Sequence, residues 1–395
     1  MGKNLFAKRM DRLGTESAFE VLAKAKKMEA EGMEVIHMEI GEPDFDTPQN
    51  IVDKGCWALQ NGFTHYNPSA GVMEVRETVA DYLTKTRGIP YEKEEIVMGP
   101  GGKPLIAYAI MACVDEGEEV LIPNPTYPAY ESITNFIGAK SVPIPILEEK
   151  DFRFDVKELE KYITPKTKMM VVNSPQNPTG GVLSPEDLEH IAGLAKKHDF
   201  LILSDEIYSR MLYDGHKHHS IASLPGMKER TILMDGFSKT YAMTGWRLGY
   251  IGATKEIADR ISKLTLNIVS CTATFTQIAG MEALTGPQGA VDEMCKEFVK
   301  RRDLIVDGLN AIDGITCRKP LGAFYVFPNV KSFGRTSKEL AVYLLEEAGI
   351  ACLWGTAFGI HGEGYIRLSY ANSVENIKKA LDKIERALKK LPAKV

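Results

Sequence analysis

The sequence predicts an α/β fold: a mostly parallel sheet sandwiched by helices, with a second, smaller α+β domain. Three observations carry this. KMMVVN (168–173) and FLILSDE (200–206) are apolar, β-rich runs separated by one helical pattern, the spacing of a strand, a crossover helix and a parallel strand. EVLIP (119–123), TILMDGF (231–237) and RLGYIGA (247–253) supply further strand-like runs. From about Ala290 the character changes, with VDEMCKEFVKRRDLIVDGLNAI reading as one long amphipathic helix before the strand-like AFYVF and YIRLSY.

Taken in order, ESAFEVLAKAKKMEAEGM places Phe19, Leu22, Ala25 and Met28 at helical spacing and stops at Gly32. VIHMEIG follows as a short strand. The turn Gly101-Gly102-Lys103-Pro104 opens the helix PLIAYAIMAC, and SPQNPTGG is turn chemistry throughout. Ser184 caps a helix with Pro185 at its first position, and Leu188, Ile191, Ala192 and Ala195 repeat along it to His198. These elements divide the chain into an N-terminal arm belonging with the small domain (1–45), a large domain (46–289) and a small C-terminal domain (290–395).

The totals narrow the function. In 395 residues with 44% apolar and 26% charged residues, the net charge of −5 is spread out, and no basic block offers a nucleic-acid surface. The six cysteines contain no C-x-x-C pair, which points to a reduced, cytoplasmic protein without structural zinc. The N-terminus lacks a signal-peptide core, and no apolar run is long enough for a membrane span. His216, His218 and His219 lie in a polar turn without a paired acid, so no metal site is expected there. GPGGKP departs from the dinucleotide fingerprint at Pro104.

Ligands of open parallel sheets bind beyond the carboxyl ends of the strands. Asn177 follows one strand, Asp205 ends the next and Lys239 follows a third, so all three are expected at one rim. A lysine in an apolar pocket has a depressed pKa and a free amine for Schiff-base chemistry with an aldehyde. Pyridoxal 5'-phosphate is such an aldehyde, and a buried carboxylate such as Asp205 would keep its pyridine nitrogen protonated. Asn177 or Tyr208 would hold its phenolic oxygen. Ser238, Arg247 and the Gly101-Gly102-Lys103 turn offer donors and charge to a phosphate.

NSPQNPTG, SDEIYSRMLY, DGFSKTYAMTGWRLGY and YIRLSYA, in this order, with IGEPDFDTP, THYNPSAG, GAFYVFP and GTAFG, resemble the class I pyridoxal-phosphate aminotransferases of fold type I, closest to the prokaryotic aspartate-aminotransferase-like branch. The resemblance runs from about Ile40 to Asn372. It implies a seven-stranded, mostly parallel sheet and a homodimer with shared active sites. It implies that Lys239 is the Schiff-base lysine and proton carrier, that Asp205 pairs with the pyridine nitrogen, and that Asn177 and Tyr208 bond the 3'-oxygen. Ser238, Arg247, Gly101 and Gly102 would hold the phosphate, with Tyr66 reaching it from the other subunit, and Tyr127 would stack on the ring. Arg367 would clamp the substrate α-carboxylate, helped by Asn177 and the Gly41 backbone.

The expected activity is transfer of an amino group from an L-amino acid, aspartate-like or broad, to a 2-oxo acid such as 2-oxoglutarate or pyruvate. An aromatic or alanine donor, or a β-carbon-sulfur lyase on the same scaffold, are the alternatives. The stretch from Pro104 to Ala129 contains no lysine or arginine, so a second cation for a dicarboxylic side chain has to come from elsewhere. Trp354, where relatives mostly have proline, is expected to line the side-chain pocket or to face the core.

Overall fold

The computed structural model describes residues 5–14 and 16–391. Its strands are β1 (Ile36–His37), β2 (Ile96–Gly99), β3 (Glu119–Asn124), β4 (Lys140–Leu147), β5 (Arg153–Phe154), β6 (Thr167–Asn173), β7 (Leu201–Asp205), β8 (Thr231–Gly236), β9 (Gly249–Gly252), β10 (Tyr325–Val326), β11 (Ile350–Ala351), β12 (Leu353–Trp354) and β13 (Ile366–Ser369). The large sheet runs β2-β9-β8-β7-β6-β3-β4-β5. From β8 to β4 every pairing is parallel, while β9 runs against both β2 and β8. The seven expected strands are joined by an eighth, the two-residue β5, which pairs antiparallel along the edge of β4.

Both faces of this sheet are covered, which is why its strands read as continuous apolar runs. In β6, Met169 and Val171 face a core with Leu105, Ile110, Leu203 and Ile261, beneath helices Gly102–Cys113 and Lys255–Val269. Met170 and Val172 point the opposite way, into a core with Leu188, Ile191 and Ala195 of helix Pro185–His198. That helix starts where the sequence places it. Asp187 N donates to Ser184 Oγ at 3.2 Å and Ser184 N to Asp187 Oδ2 at 2.9 Å, a reciprocal cap.

The remaining strands are short. β10, β13 and β12 form an antiparallel sheet, and β1 pairs in parallel with β11. Helices Gly289–Asn310, Ser337–Ala348 and Val374–Lys389 pack on them around Phe298, Phe324, Leu344 and Ile377. The β1–β11 pairing ties the N-terminal segment to the C-terminal part of the chain. Helix Ser17–Ala30 buries Val21 and Ala25 against Ala351 and Leu353, so its inward stripe is rotated from the predicted one. Phe19, expected inside, is 60% exposed and borders the cavity described next.

Candidate active site

Asn173 at the end of β6 is in register with Asp205 at the end of β7. β8 ends beside them at Gly236, just before Ser238 and Lys239. A cavity of about 850 Å³ opens over this rim, lined among others by Asn177, Asp205, Tyr208, Ser238, Lys239 and Arg247. Gly41, Gly102, Lys103, Tyr127 and Arg367 border it too. Residues from more than three hundred positions apart thus meet in one concavity.

Lys239 is partly buried in the cavity wall and donates to the Gly41 carbonyl. Burial lowers its pKa to about 8, opposed by Glu42 and reinforced by Arg367 and Arg247. About a tenth is therefore the neutral amine at pH 7, where an ordinary lysine is well under a hundredth neutral. Asp205 is pushed the other way, to about 7, chiefly by burial; hydrogen bonds from Tyr130 and the Ile207 amide oppose this. Tyr130 Oη donates to Asp205 Oδ2 at 2.5 Å and Ile207 N to Oδ1 at 3.1 Å. Among the described residues no cation forms an ion pair with this carboxylate, so it is prepared for a cationic or N–H partner in the cavity.

Arg367, on β13, lies with its guanidinium carbon 4.6 Å from the Tyr325 ring centroid and 4.9 Å from that of Phe358. Its Nη1 donates to Asn177 Oδ1 at 3.2 Å and its Nη2 to the Glu39 carbonyl. Nε is buried without a partner, which leaves a guanidinium donor for an anion. Tyr208 and Tyr325 hydroxyls meet at 2.8 Å. A side chain at Gly41 would strike the Tyr325 phenol, so glycine is required where the chain passes Lys239.

At the other end of the cavity, Gly101 has φ of 95° and sits against Arg247, where an added Cβ would collide with the guanidinium. Gly102 begins helix Gly102–Cys113, whose first amides point toward the rim. Arg247 donates to the Thr244 carbonyl at 2.8 Å and to that of Pro100 at 3.3 Å. Ala242 and Arg247 both hold positive φ, 50° and 54°. The loop after Lys239 thus carries backbone strain at the site. Arginine, serine and free helix-end amides make this end suited to an anion.

Residues 33–384 match the family model described as aminotransferase class I and II. Two similar proteins are the aromatic-amino-acid aminotransferase 2 of Thermococcus litoralis, 45% identical, and the aspartate aminotransferase of Pyrococcus abyssi, 46% identical, each over 91% of this chain and 93% of the relative. The solved structure of the aromatic aminotransferase from Pyrococcus horikoshii has a TM-score of 0.89 at 44% identity, covering 93% of this chain and 99% of the other. The chain belongs to the class I and II aminotransferases.

The structure of this aminotransferase shows the surroundings of four further residues of the sequence reading. Tyr66 is 89% exposed and lies outside the cavity within one chain. Lys103 is ion-paired to Glu16 at 2.5 Å, and Tyr127 Oη donates to the same Glu16 oxygen at 2.9 Å. Trp354 is half-buried between two cores with Lys338 over its ring, while its neighbour Leu353 borders the cavity. β12 alternates its side chains, so only one of the two can face inward.

Sequence reasoning also missed residues that support the site. Tyr130, three beyond Tyr127, supplies the hydroxyl on Asp205; the repeat in TYPAY was the available signal. Behind the rim, Arg87 pairs with Glu206 at 2.9 Å and with Asp235 at 2.8 Å, all buried. His218 joins Glu206 at 2.7 Å and Ser220 donates to it at 2.5 Å. Burial opposes ionisation of Glu206, yet His218 and Arg87 outweigh it and hold the carboxyl at about 2. His218 therefore does have an acid partner, and it is structural.

Proposed function

We propose that this aminotransferase works with pyridoxal 5'-phosphate and passes the amino group of an L-amino acid to a 2-oxo acid in two half-reactions. The carrying observation is Lys239: a partly buried amine of lowered pKa, facing one cavity with a buried carboxylate that lacks an ion-pair partner and an arginine with an unpartnered Nε. The donor set fits the cofactor. Asp205 would hold the pyridine nitrogen, Asn177 and Tyr208 the phenolic oxygen, and Tyr127 a face of the ring. Ser238, Arg247 and the amides of Gly101 and Gly102 would hold the phosphate, with Lys103 at the margin and Tyr66 contributed by a second subunit. When bound, the cofactor supplies an aldehyde for amines and a ring that withdraws electrons from the α-carbon.

The chain's own residues do the rest. Arg367, steadied by Asn177, binds the α-carboxylate and so orients the α-carbon toward Lys239. Gly41 permits this approach because it has no side chain. Lys239 as the free amine would take the α-proton on Nζ and carry it to the carbon on the far side of the transferred nitrogen. Asp205 would hold the ring nitrogen in its protonated form, and that charge would offset the cost of burying the carboxylate.

The donor range we propose is broad, covering dicarboxylic and aromatic amino acids. Phe19, Leu22, Ile40 and Phe358 give the cavity an apolar wall, and Lys26 and Lys103 give it cations. We propose a homodimer, supported by exposed Tyr66, Leu266 and Ile268, and a cytosolic location, supported by six free cysteines. Borohydride reduction in the presence of pyridoxal phosphate, followed by peptide mapping, tests the mechanism: the label belongs on Lys239, and a label on any other lysine sinks it. A donor panel with 2-oxoglutarate and pyruvate tests the range; inert aspartate would restrict it to apolar donors.

A further inference from the structure

β1 and its continuation carry two charged side chains that the transfer chemistry does not use. His37 and Glu39 are two residues apart in extended chain and share a face. His37 Nδ1 lies 2.8 Å from Glu39 Oε1, and its Nε2 lies 3.1 Å from Glu29 Oε1, on helix Ser17–Ala30. Glu39 is fully buried and its Oε2 has no hydrogen-bond partner. The segment is wedged against the strand that bears Arg367. Met38 N donates to the Ala351 carbonyl at 3.0 Å, and Ser369 N donates to the Met38 carbonyl at 2.8 Å. Asn372 Nδ2 donates to the His37 carbonyl at 2.9 Å, and Arg367 donates to the Glu39 carbonyl.

A carboxylate removed from water needs a cation or a proton. Neutral imidazole has one N–H, whereas both His37 nitrogens face carboxylate oxygens, so both contacts are satisfied only by the imidazolium. Burial disfavours that charge, but Glu39 and Glu29 outweigh it and His37 is raised above its ordinary value. Lys26 meets Glu29 from the same helix at 2.8 Å. Arg367 and Cys352 are the other titratable groups bearing on Glu39, and burial keeps the Cys352 thiol neutral, at about 12.

We propose that His37 and Glu39 form a positioning pair for Arg367. While His37 is protonated, the pair fixes the Glu39 carbonyl that holds one arm of the guanidinium, and so sets affinity for the α-carboxylate of every substrate. This rests on the reading of Arg367 as the carboxylate clamp. As the pH rises and His37 loses its proton, Glu39 is left buried without its cation, and carboxylates bind more weakly.

The test is calorimetric titration of the holoenzyme with hydrocinnamate and with succinate. His37→Asn is expected to weaken both about tenfold at about pH 6.5, with the ratio to wild type closing toward one by about pH 9. Adding Glu39→Gln removes the uncompensated charge and restores affinity to within about threefold of wild type at the lower pH. A merely structural staple would do neither. A ratio that stays constant with pH, or a double variant no better than His37→Asn, overturns the proposal. Should His37→Asn not fold, Glu39→Gln carries the test, since its ratio to wild type must close with pH in the same sense and a constant ratio overturns the pair. Borohydride labelling of the same preparations separates the readings: a flat ratio with Lys239 labelled defeats only this pair, whereas no label on Lys239 defeats the site itself.

Discussion

The two walls of the cavity are built in contrasting ways. The wall with Asn177, Asp205, Ser238 and Lys239 comes from the ends of adjacent parallel strands, level because β6, β7 and β8 are in register. The opposite wall is gathered from Phe19, Gly41, Phe358 and Arg367, on a helix, a loop, a short 3-10 helix and a four-residue strand. One wall is a property of a sheet, and the other of many small agreements. On the proposed mechanism the first fixes where chemistry occurs, and the second is free to vary with the substrate.

If that contrast is right, damage to the sheet wall should be near-absolute. Lys239→Ala is expected to lower kcat about 10⁴-fold, the scale of a positioned proton carrier, measured by single-turnover amino transfer at saturating donor. Loss of less than about tenfold would remove Lys239 from the proton's path. The next largest effect lies behind that wall. Arg87→Met leaves Glu206 and Asp235 buried without their shared cation and should cost about 3 to 5 kcal/mol in denaturant unfolding of the cofactor-free protein. A cost under about 1 kcal/mol would show the ion cluster to be dispensable.

The same contrast governs what the sequence could tell. Strand, loop and next strand carry their functional residue at a fixed place, so Asn177, Asp205 and Lys239 were legible as one rim before any geometry. β7 reaches Asp205 from FLIL, an uninterrupted apolar run of the kind that burial on both faces demands. β1, β10, β11 and β12 are two residues each, too short to show a period, and they exist through pairing with distant partners. Glu39 read as one polar residue in the short strand VIHMEIG. Its burial depends on β11 and β13, over three hundred residues on. β4 was hidden for another reason: Pro143 and Pro145 argue against a strand, and the structure carries them in one beside the sheet edge.

Damage to the gathered wall should be smaller and should fall on binding. Arg367→Lys keeps the charge but loses the planar fork that Asn177 and the Glu39 carbonyl align. The expected loss is about 10²-fold in kcat/KM, shared by aromatic and dicarboxylic donors alike because both carry the α-carboxylate. A loss confined to one donor class would move Arg367 from the shared carboxylate site to the side-chain site.

The smallest expected effect lies where the walls touch. Tyr127 is bonded to Glu16 of the gathered wall, Tyr130 to Asp205 of the sheet wall, and the two rings meet edge to face at 5.8 Å. The Tyr130 hydroxyl stabilises ionised Asp205, so Tyr130→Phe should raise a carboxyl already at about 7. The sign then follows for the cofactor-free protein. A native carboxyl above its unfolded value keeps a proton that the unfolded chain has released, so stability falls as pH rises through that interval. Removing the hydroxyl extends the fall upward. Against wild type, the variant should lose a further ~1.4 kcal/mol between about pH 6 and 9 for each tenfold weakening of Asp205 as an acid, and nothing further below about pH 4, where both states hold the proton. In the loaded enzyme the same change moves the acid limb of kcat/KM to higher pH and leaves the plateau within about threefold. Parallel stability curves would mean that Tyr130 only fills space, and that the two walls meet without sharing a charge.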